Sequence, residues 1–273
     1  MFAGFNLNID IETFKEKVIS GKETFECYKT IGEKKLEEKK INIEKKLKDY
    51  ILNGTINGKE LQENWFPIIP ANIFISHSHK DRDFAFALSG WLYCKFGLEC
   101  FIDSGVWGYI NDLLSEINDE FSDKKQKSDG RVVYNHEKCN IASAHVNMML
   151  NIALQEMIDN TEAVFLINTP NSIDKYDGQA STLSPWIYSE IIATKLIRKK
   201  SLLEYRGDKE YFFESSEIKN SLKIKYDITI DHLTKLNCSN LLQWDNTWKQ
   251  ITNNKKYPLD QLYRITNEEK VKF

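Results

Sequence analysis

The rhythm of hydrophobic and polar positions changes near residue 70, and that change divides the chain. Before it, charge dominates. Between Gly32 and Tyr50 lysines and glutamates interleave, while Leu36, Ile43, Leu47, Tyr50 and Ile51 recur at helical spacing. This predicts an amphipathic helix whose single apolar stripe either packs on a main domain or docks a partner subunit. Asn53-Gly54 and Asn57-Gly58 then break the pattern, and Pro67 and Pro70 bracket the approach to the next element. Residues 1–70 are therefore expected to form a helical N-terminal extension.

From Ala71 short apolar runs alternate with helical patterns, the signature of an α/β fold with a parallel sheet flanked by helices. Ile73-Phe74-Ile75 predicts a buried strand. Asp81 is placed to cap a helix with Phe84, Ala87, Leu88, Trp91 and Leu92 on one face, and Gly97 suits its end. A second strand is expected over Leu98–Ile102, then a long loop at about 103–140 with a short helix near Leu113, Leu114 and Ile117. Loops of that length are often functional covers. Val146, Met149, Leu150, Ala153, Met157 and Ile158 mark the next helix, from Ala142 to about Ile158, and Ala163 to Ile167 a third strand. Ser184 and Pro185 then start a helix running to Leu196, as N-cap and first-turn residues. The core domain is thus expected over 71–200 and a C-terminal α/β elaboration over 201–273. Within that elaboration Leu222, Ile224, Tyr226, Ile228 and Ile230 alternate with polar residues, as in a half-exposed strand near an edge. Short closing helices are expected around Leu233, Trp244 and Leu262.

Composition narrows the function classes. The chain has 273 residues, 41% hydrophobic, with a formal net charge of −3, so it can bury a full core and carries no general positive field for nucleic acid or anionic lipid. Its five cysteines are scattered, without a CxxC pair, which suits a reducing cytosol and predicts neither a disulfide framework nor a zinc site. No stretch approaches the roughly 18 apolar residues of a membrane span, and no secretion leader is read at Met1-Phe2-Ala3-Gly4. The formal glycosylation acceptors at Asn53 and Asn237 are accordingly set aside.

Most familiar motifs fail. Gly54-Thr55-Ile56-Asn57-Gly58-Lys59-Glu60 has three residues rather than four between its glycines and ends in Glu60, so the magnesium-binding hydroxyl of a P-loop is missing. No GxGxxG follows a strand, and neither GxSxG nor HExxH occurs. His77-Ser78-His79 lacks a third ligand at metal-binding spacing, so no metal is expected. His145, at the rim of an apolar helix face, reads as a structural histidine.

One constellation remains. Ile73-Phe74-Ile75-Ser76-His77-Ser78-His79-Lys80-Asp81 closes a strand and opens a helix, which sets Ser76 and His77 at the carboxyl edge of the sheet, where open α/β sheets bind ligands. Phe101-Ile102-Asp103-Ser104 follows the second strand, and Ser184-Pro185-Trp186-Ile187-Tyr188-Ser189-Glu190 follows the third. With these three motifs in this order, the stretch from Ala71 to Arg198 resembles the Toll/interleukin-1 receptor (TIR) domain family. That family has a first strand of the Val-Phe-Ile-Ser type and an aromatic residue four positions before a glutamate, here Trp186 and Glu190. The resemblance implies a flavodoxin-like fold and cleavage of NAD, as substrate rather than cofactor, at the nicotinamide-ribose bond, with Glu190 as the catalytic carboxylate. Ser76 and His77 occupy positions from which the family contacts the nucleotide. Asp103, Ser104 and Trp107 begin the segment matching the family's BB loop, which covers the site and mediates self-association. Here that loop departs from the family pattern, extended through Asn135 and His136. Trp186 either walls the pocket or anchors its helix in the core.

The implied chemistry suits a single carboxylate. Nicotinamide leaves as a neutral base without a general acid, and an oxocarbenium-like centre remains for Glu190 to stabilise. The stand-alone arrangement is similar to prokaryotic TIR proteins of antiphage defence, including the Thoeris type. It implies a cytoplasmic NAD glycohydrolase or ADP-ribosyl cyclase whose product signals to a separate effector protein. The alternatives are a non-catalytic TIR adaptor acting by homotypic assembly and another nucleotide glycosidase of deoxyribosyltransferase type.

Overall fold

The computed structural model describes residues 1–19, 23–39, 47–52, 55–108, 110–176, 179–205, 215–216, 226–250 and 257–266. Its main elements in chain order are β1 (Ala3–Leu7), α1 (Phe25–Glu37), α2 (Gly58–Trp65), β2 (Ile73–Ser76), α3 (Arg82–Phe96), β3 (Cys100–Phe101), α4 (Ile110–Phe121), α5 (His136–Asn160), β4 (Ala163–Ile167), α6 (Pro185–Leu196), β5 (Thr234–Leu236), α7 (Cys238–Lys249) and α8 (Pro258–Ile265). The five strands form one parallel sheet in the order β5-β1-β4-β2-β3. β1, β2 and β4 are buried along their whole length, as parallel strands covered on both faces must be.

The mixed α/β architecture agrees with the sequence pattern, but the first 70 residues do not form a helical extension. β1 lies inside the sheet, with Ala3 opposite Ala163 and Phe5 opposite Thr234. The signal is the alternation of Phe5, Leu7 and Ile9 with Asn6 and Asn8, a period of two. Nor does one helix span Gly32 to Tyr50. α1 ends at Glu37, Leu47–Tyr50 is a 3-10 turn, and Ile51–Leu52 pairs with Thr55–Ile56. Leu36, Leu47 and Tyr50 are all buried, so the apolar stripe is used by separate elements; Ile43 lies outside the described residues.

The segment 103–140 is likewise not an extended loop. The short helix expected near Leu113, Leu114 and Ile117 is present as α4, with Ile110, Leu113 and Ile117 buried, and it is followed by a small antiparallel pair, Lys125–Gln126 with Val132–Val133. α5 starts at His136, earlier than the apolar pattern suggests, because the Asn135 side chain accepts from the Glu137 and Lys138 backbone N–H groups. In the C-terminal region Leu222 and Ile224 fall outside the described residues. Tyr226–Asp227 belongs to a separate antiparallel sheet with Gln179–Thr182, and the edges of the main sheet are β5 and β3. Leu233 leads into β5 rather than into a helix, whereas Trp244 and Leu262 sit on α7 and α8 as expected.

Two helical layers flank the sheet. In one, α1 crosses α3, α7 packs on the Phe14–Val18 turn, Phe14 meets Phe84 at 5.1 Å between ring centroids, and Phe96 stacks on Trp244 at 3.9 Å. In the other, α4 and α6 pack on α5. α6 is apolar on two sides. Ile187 and Ile191 join a small cluster with Leu166 and Ile173, while Ala193 and Trp186 belong to the main core. The Ser184 side chain accepts from the Ile187 N–H at 3.2 Å, and Pro185 takes the first helical position. Ser184→Ala is expected to lower global stability by about 1 kcal/mol, measured by urea unfolding. Among the described residues no helix is long and apolar enough to cross a membrane.

Candidate functional site

The chain passes from β2 to β3 in one direction along the sheet and returns from β3 to β4 in the other. Such a reversal leaves a crevice beyond the carboxyl ends of the two strands at which it occurs, here β2 and β4. Ser76 is the last residue of β2, opposite Leu166 of β4. Its hydroxyl donates to Glu190 Oε2 at 2.5 Å, joining two side chains 114 residues apart. Both are buried: Ser76 is 2% exposed and Glu190 is 3% exposed.

Burial of a carboxyl has a direct electrostatic result. The Glu190 pKa stands well above its ordinary value of 4.5, chiefly through desolvation and secondly through the negative charge of Asp103, against the opposing Ser76 hydrogen bond. Ser76→Ala is therefore expected to shift the Glu190 titration to still higher pH, read from the side-chain carboxyl carbon by NMR. A shift to lower pH would contradict the assigned hydrogen bond.

His77 completes the cluster. Its Nε2 is 2.9 Å from Ser104 Oγ, and its Nδ1 lies 3.7 Å from Asp103 Oδ1 without a hydrogen-bond partner. Burial lowers the His77 pKa, with Asp103 acting in the opposite sense, so the ring is neutral at physiological pH. The ring thus ties the start of the segment after β3 to the end of β2. Asp103 is half-exposed, with 31% of its side chain accessible.

Ser76, His77, Asp103, Ser104 and Glu190 are therefore brought together at one sheet edge. Trp186, one turn before Glu190, is half-buried and packs against the main core. The backbone of Trp107–Gly108 pairs in parallel with Ser215–Ser216, and the Trp107 side chain lies outside the described residues. His145 is exposed on α5, next to the buried Val146 and away from the Glu190 cluster. Among the described residues no group of three or more His, Cys, Asp or Glu side chains is arranged to hold a metal.

Asp81 was legible only as a helix cap, and its role differs. It makes no capping hydrogen bond. Instead, 1% exposed, it accepts from Thr169 Oγ1 and, at 2.8 Å, from Asn171 Nδ2. It thereby fastens the turn after β4 to the start of α3, four residues beyond His77. The polar run Asn168-Thr169-Pro170-Asn171 after a buried strand is the signal that could have marked this turn. No protein-family model, curated protein or solved structure matches the chain.

Proposed function

We propose that the chain is a TIR-type NAD glycohydrolase or ADP-ribosyl cyclase on a flavodoxin-like sheet. The observation that carries this reading is the buried hydrogen bond between Ser76 and Glu190 at the carboxyl edge of the sheet, next to Asp103. These are the residues that the family resemblance singles out, and they come from separate parts of the chain.

The electrostatics support a positively charged N-glycoside as substrate. A buried carboxyl beside a second carboxylate gains its stable ionised form when a cation enters, and the pyridinium ring of NAD carries that charge. As the nicotinamide-ribose bond lengthens, positive charge moves from the ring to the ribose carbon. An ionised Glu190 interacts more strongly with that centre than with the ground state, which is the condition for catalysis. Ser76 fixes the carboxylate by its hydrogen bond, and neutral His77 holds the Asp103–Ser104 segment at the rim. Glu190 is 3% exposed, so substrate reaches it by displacement of that segment. In the wider reading the enzyme is cytoplasmic, self-associates, and releases an ADP-ribose-derived product that a separate antiphage effector senses.

A second reading, assembly without catalysis, is favoured by one observation: α5 exposes Ile141, Met148 and Ile152 in a row at seven- and four-residue spacing. The two readings separate when NAD, nicotinamide and ADP-ribose-type products are quantified in infected cells expressing the wild type or Glu190→Ala. The enzymatic reading expects NAD loss and nicotinamide accumulation with the wild type alone. Equal turnover in both removes Glu190 from the chemistry, and protection without NAD loss establishes the adaptor.

A further inference from the structure

The reversal at β2 and β4 is not the only divergence at this sheet edge. β1 also borders β4, and the residues after it pack Phe14 on Phe84 and Trp91, in the layer of α1 and α3. The chain after β4 leads to α6, in the layer of α5. Two neighbouring strands whose continuations leave toward opposite layers open a crevice beyond their ends. Because β1 stands beside β4, this sheet has a second such place.

A cleft of about 450 Å³ occupies it. Asn8 and Asp10 line one wall, Asn168 and Asn171 the other, and Asn237 with Ser239 close the side next to α7. That volume lies within the range of small-molecule sites. None of Ser76, His77, Asp103 or Glu190 takes part. Asp81 stands between the two crevices, bonded to the Thr169–Asn171 turn on the cleft side.

The lining excludes two ligand classes. It contains no lysine, arginine or histidine, so a phosphate would lose its hydration without gaining a counter-charge. Its carboxylates are already engaged: Asp10 accepts from the Thr13 N–H at 2.7 Å, Glu12 pairs with Lys15 at 2.9 Å, and Asp81 is held as described. A cation therefore finds no open acidic cage. Part of the amide surface is engaged as well, Asn168 Nδ2 with Asn6, Asn171 Nδ2 with Asp81 and Asn237 Oδ1 with the Asn240 N–H. What remains is the Asn8 amide, the Asn168 and Asn171 amide oxygens, the Asn237 amide nitrogen and the Ser239 hydroxyl, which together donate and accept, set beside the apolar groups of Ile9, Ile11 and Cys238.

We infer that this cleft between β1 and β4 binds an uncharged nucleoside-type ligand, its base against the apolar groups and its hydroxyls on the asparagine amides. The site is separate from Glu190 and does not depend on the reaction proposed there.

Adenosine and AMP are the probes, titrated calorimetrically into the full chain. Adenosine is expected to bind with a Kd on the order of 0.1 mM, and AMP at least about ten-fold more weakly. Ser239→Trp, which fills the cleft from α7, and Asn8→Leu, on the opposite wall, are each expected to weaken adenosine at least about ten-fold with unchanged thermal unfolding. Glu190→Ala leaves adenosine binding as in the wild type. No adenosine binding by the wild type, AMP binding as tight as adenosine, or adenosine binding untouched by both cleft variants overturns the inference.

Discussion

Glu190→Gln is expected to lower kcat/KM for NAD on the order of 10³-fold and, in the same protein, to raise stability increasingly as pH rises. Both effects follow from one buried carboxyl. In the folded chain its pKa is held well above the ordinary 4.5, by burial first and Asp103 second. Below pH 4.5 the folded and unfolded states both carry the proton, and the buried neutral acid costs nothing extra. Above it the unfolded state ionises while the folded state keeps its proton, so stability contributed by this group is lost progressively up to the folded pKa. Glutamine retains the shape and a carbonyl to accept from Ser76, yet has no proton to lose. The melting-temperature difference between Glu190→Gln and wild type is therefore small below pH 4.5 and grows as the pH rises above it toward the raised folded pKa. A constant offset at every pH would contradict a buried neutral acid. Wild-type rates in the glutamine variant would contradict catalysis by Glu190. The same shift places the acidic limb of the kcat/KM profile above pH 4.5, since the ionised form is the active one.

The second large effect concerns packing alone. Gly32→Ala and Gly90→Ala are each expected to cost at least about 3 kcal/mol, because they force apart two helices that touch backbone to backbone. A Cβ on Gly32 would stand 2.0 Å from the Phe86 carbonyl oxygen, and one on Gly90 would stand 1.9 Å from the Tyr28 carbonyl oxygen. Neither obstacle is a side chain that can turn away. The contact is reciprocal, each glycine lying against the other helix, so α1 and α3 cross at a distance that only two missing side chains permit. Gly97→Ala is the control. It caps α3 with φ at +67° and has nothing within 4 Å, so alanine there meets conformational strain only, about 1 kcal/mol. Urea unfolding of the three variants separates the two mechanisms. If all three lose the same amount, the crossing is looser than described.

How far the sequence carried can be seen in particular elements. β2 and β4 were legible because fully buried parallel strands leave short unbroken apolar runs, Ile73-Phe74-Ile75 and Ala163 to Ile167. α3 and α6 were legible through their ends, with Gly97 stopping the first and Ser184 and Pro185 starting the second. β1 escaped because Gly4, Asn6 and Asn8 dilute its apolar positions, and Asn6 is buried by tertiary pairing, accepting from Asn168 at 2.8 Å. α4 was legible through Leu113, Leu114 and Ile117, but its length was not, because polar residues flank those positions and their burial depends on α5. At the site, Glu190 was singled out by its position four residues after Trp186 in the family resemblance and not by its own chemistry, since a glutamate on a helix is ordinarily solvated and its burial comes from tertiary packing. Ser76 pointed to the same edge by ending a buried strand. For the Asp81 network the polar run after β4 could mark the turn but not its partner, since Asp81 lies 88 and 90 residues from Thr169 and Asn171.

The place of β1 also sets a timetable for synthesis. Its neighbours in the sheet are Ala163–Ile167 and Thr234–Leu236, so both its edges remain unpaired while most of the chain is still being translated. At about 5–20 residues per second, the wait for β4 alone is on the order of ten seconds. During that interval β2 and β3 can pair and α3 can form, but the central position of the sheet stays vacant. A nascent chain released before β4 has been made holds an apolar first strand with no partner, and its interruption favours aggregation over a stable half-domain.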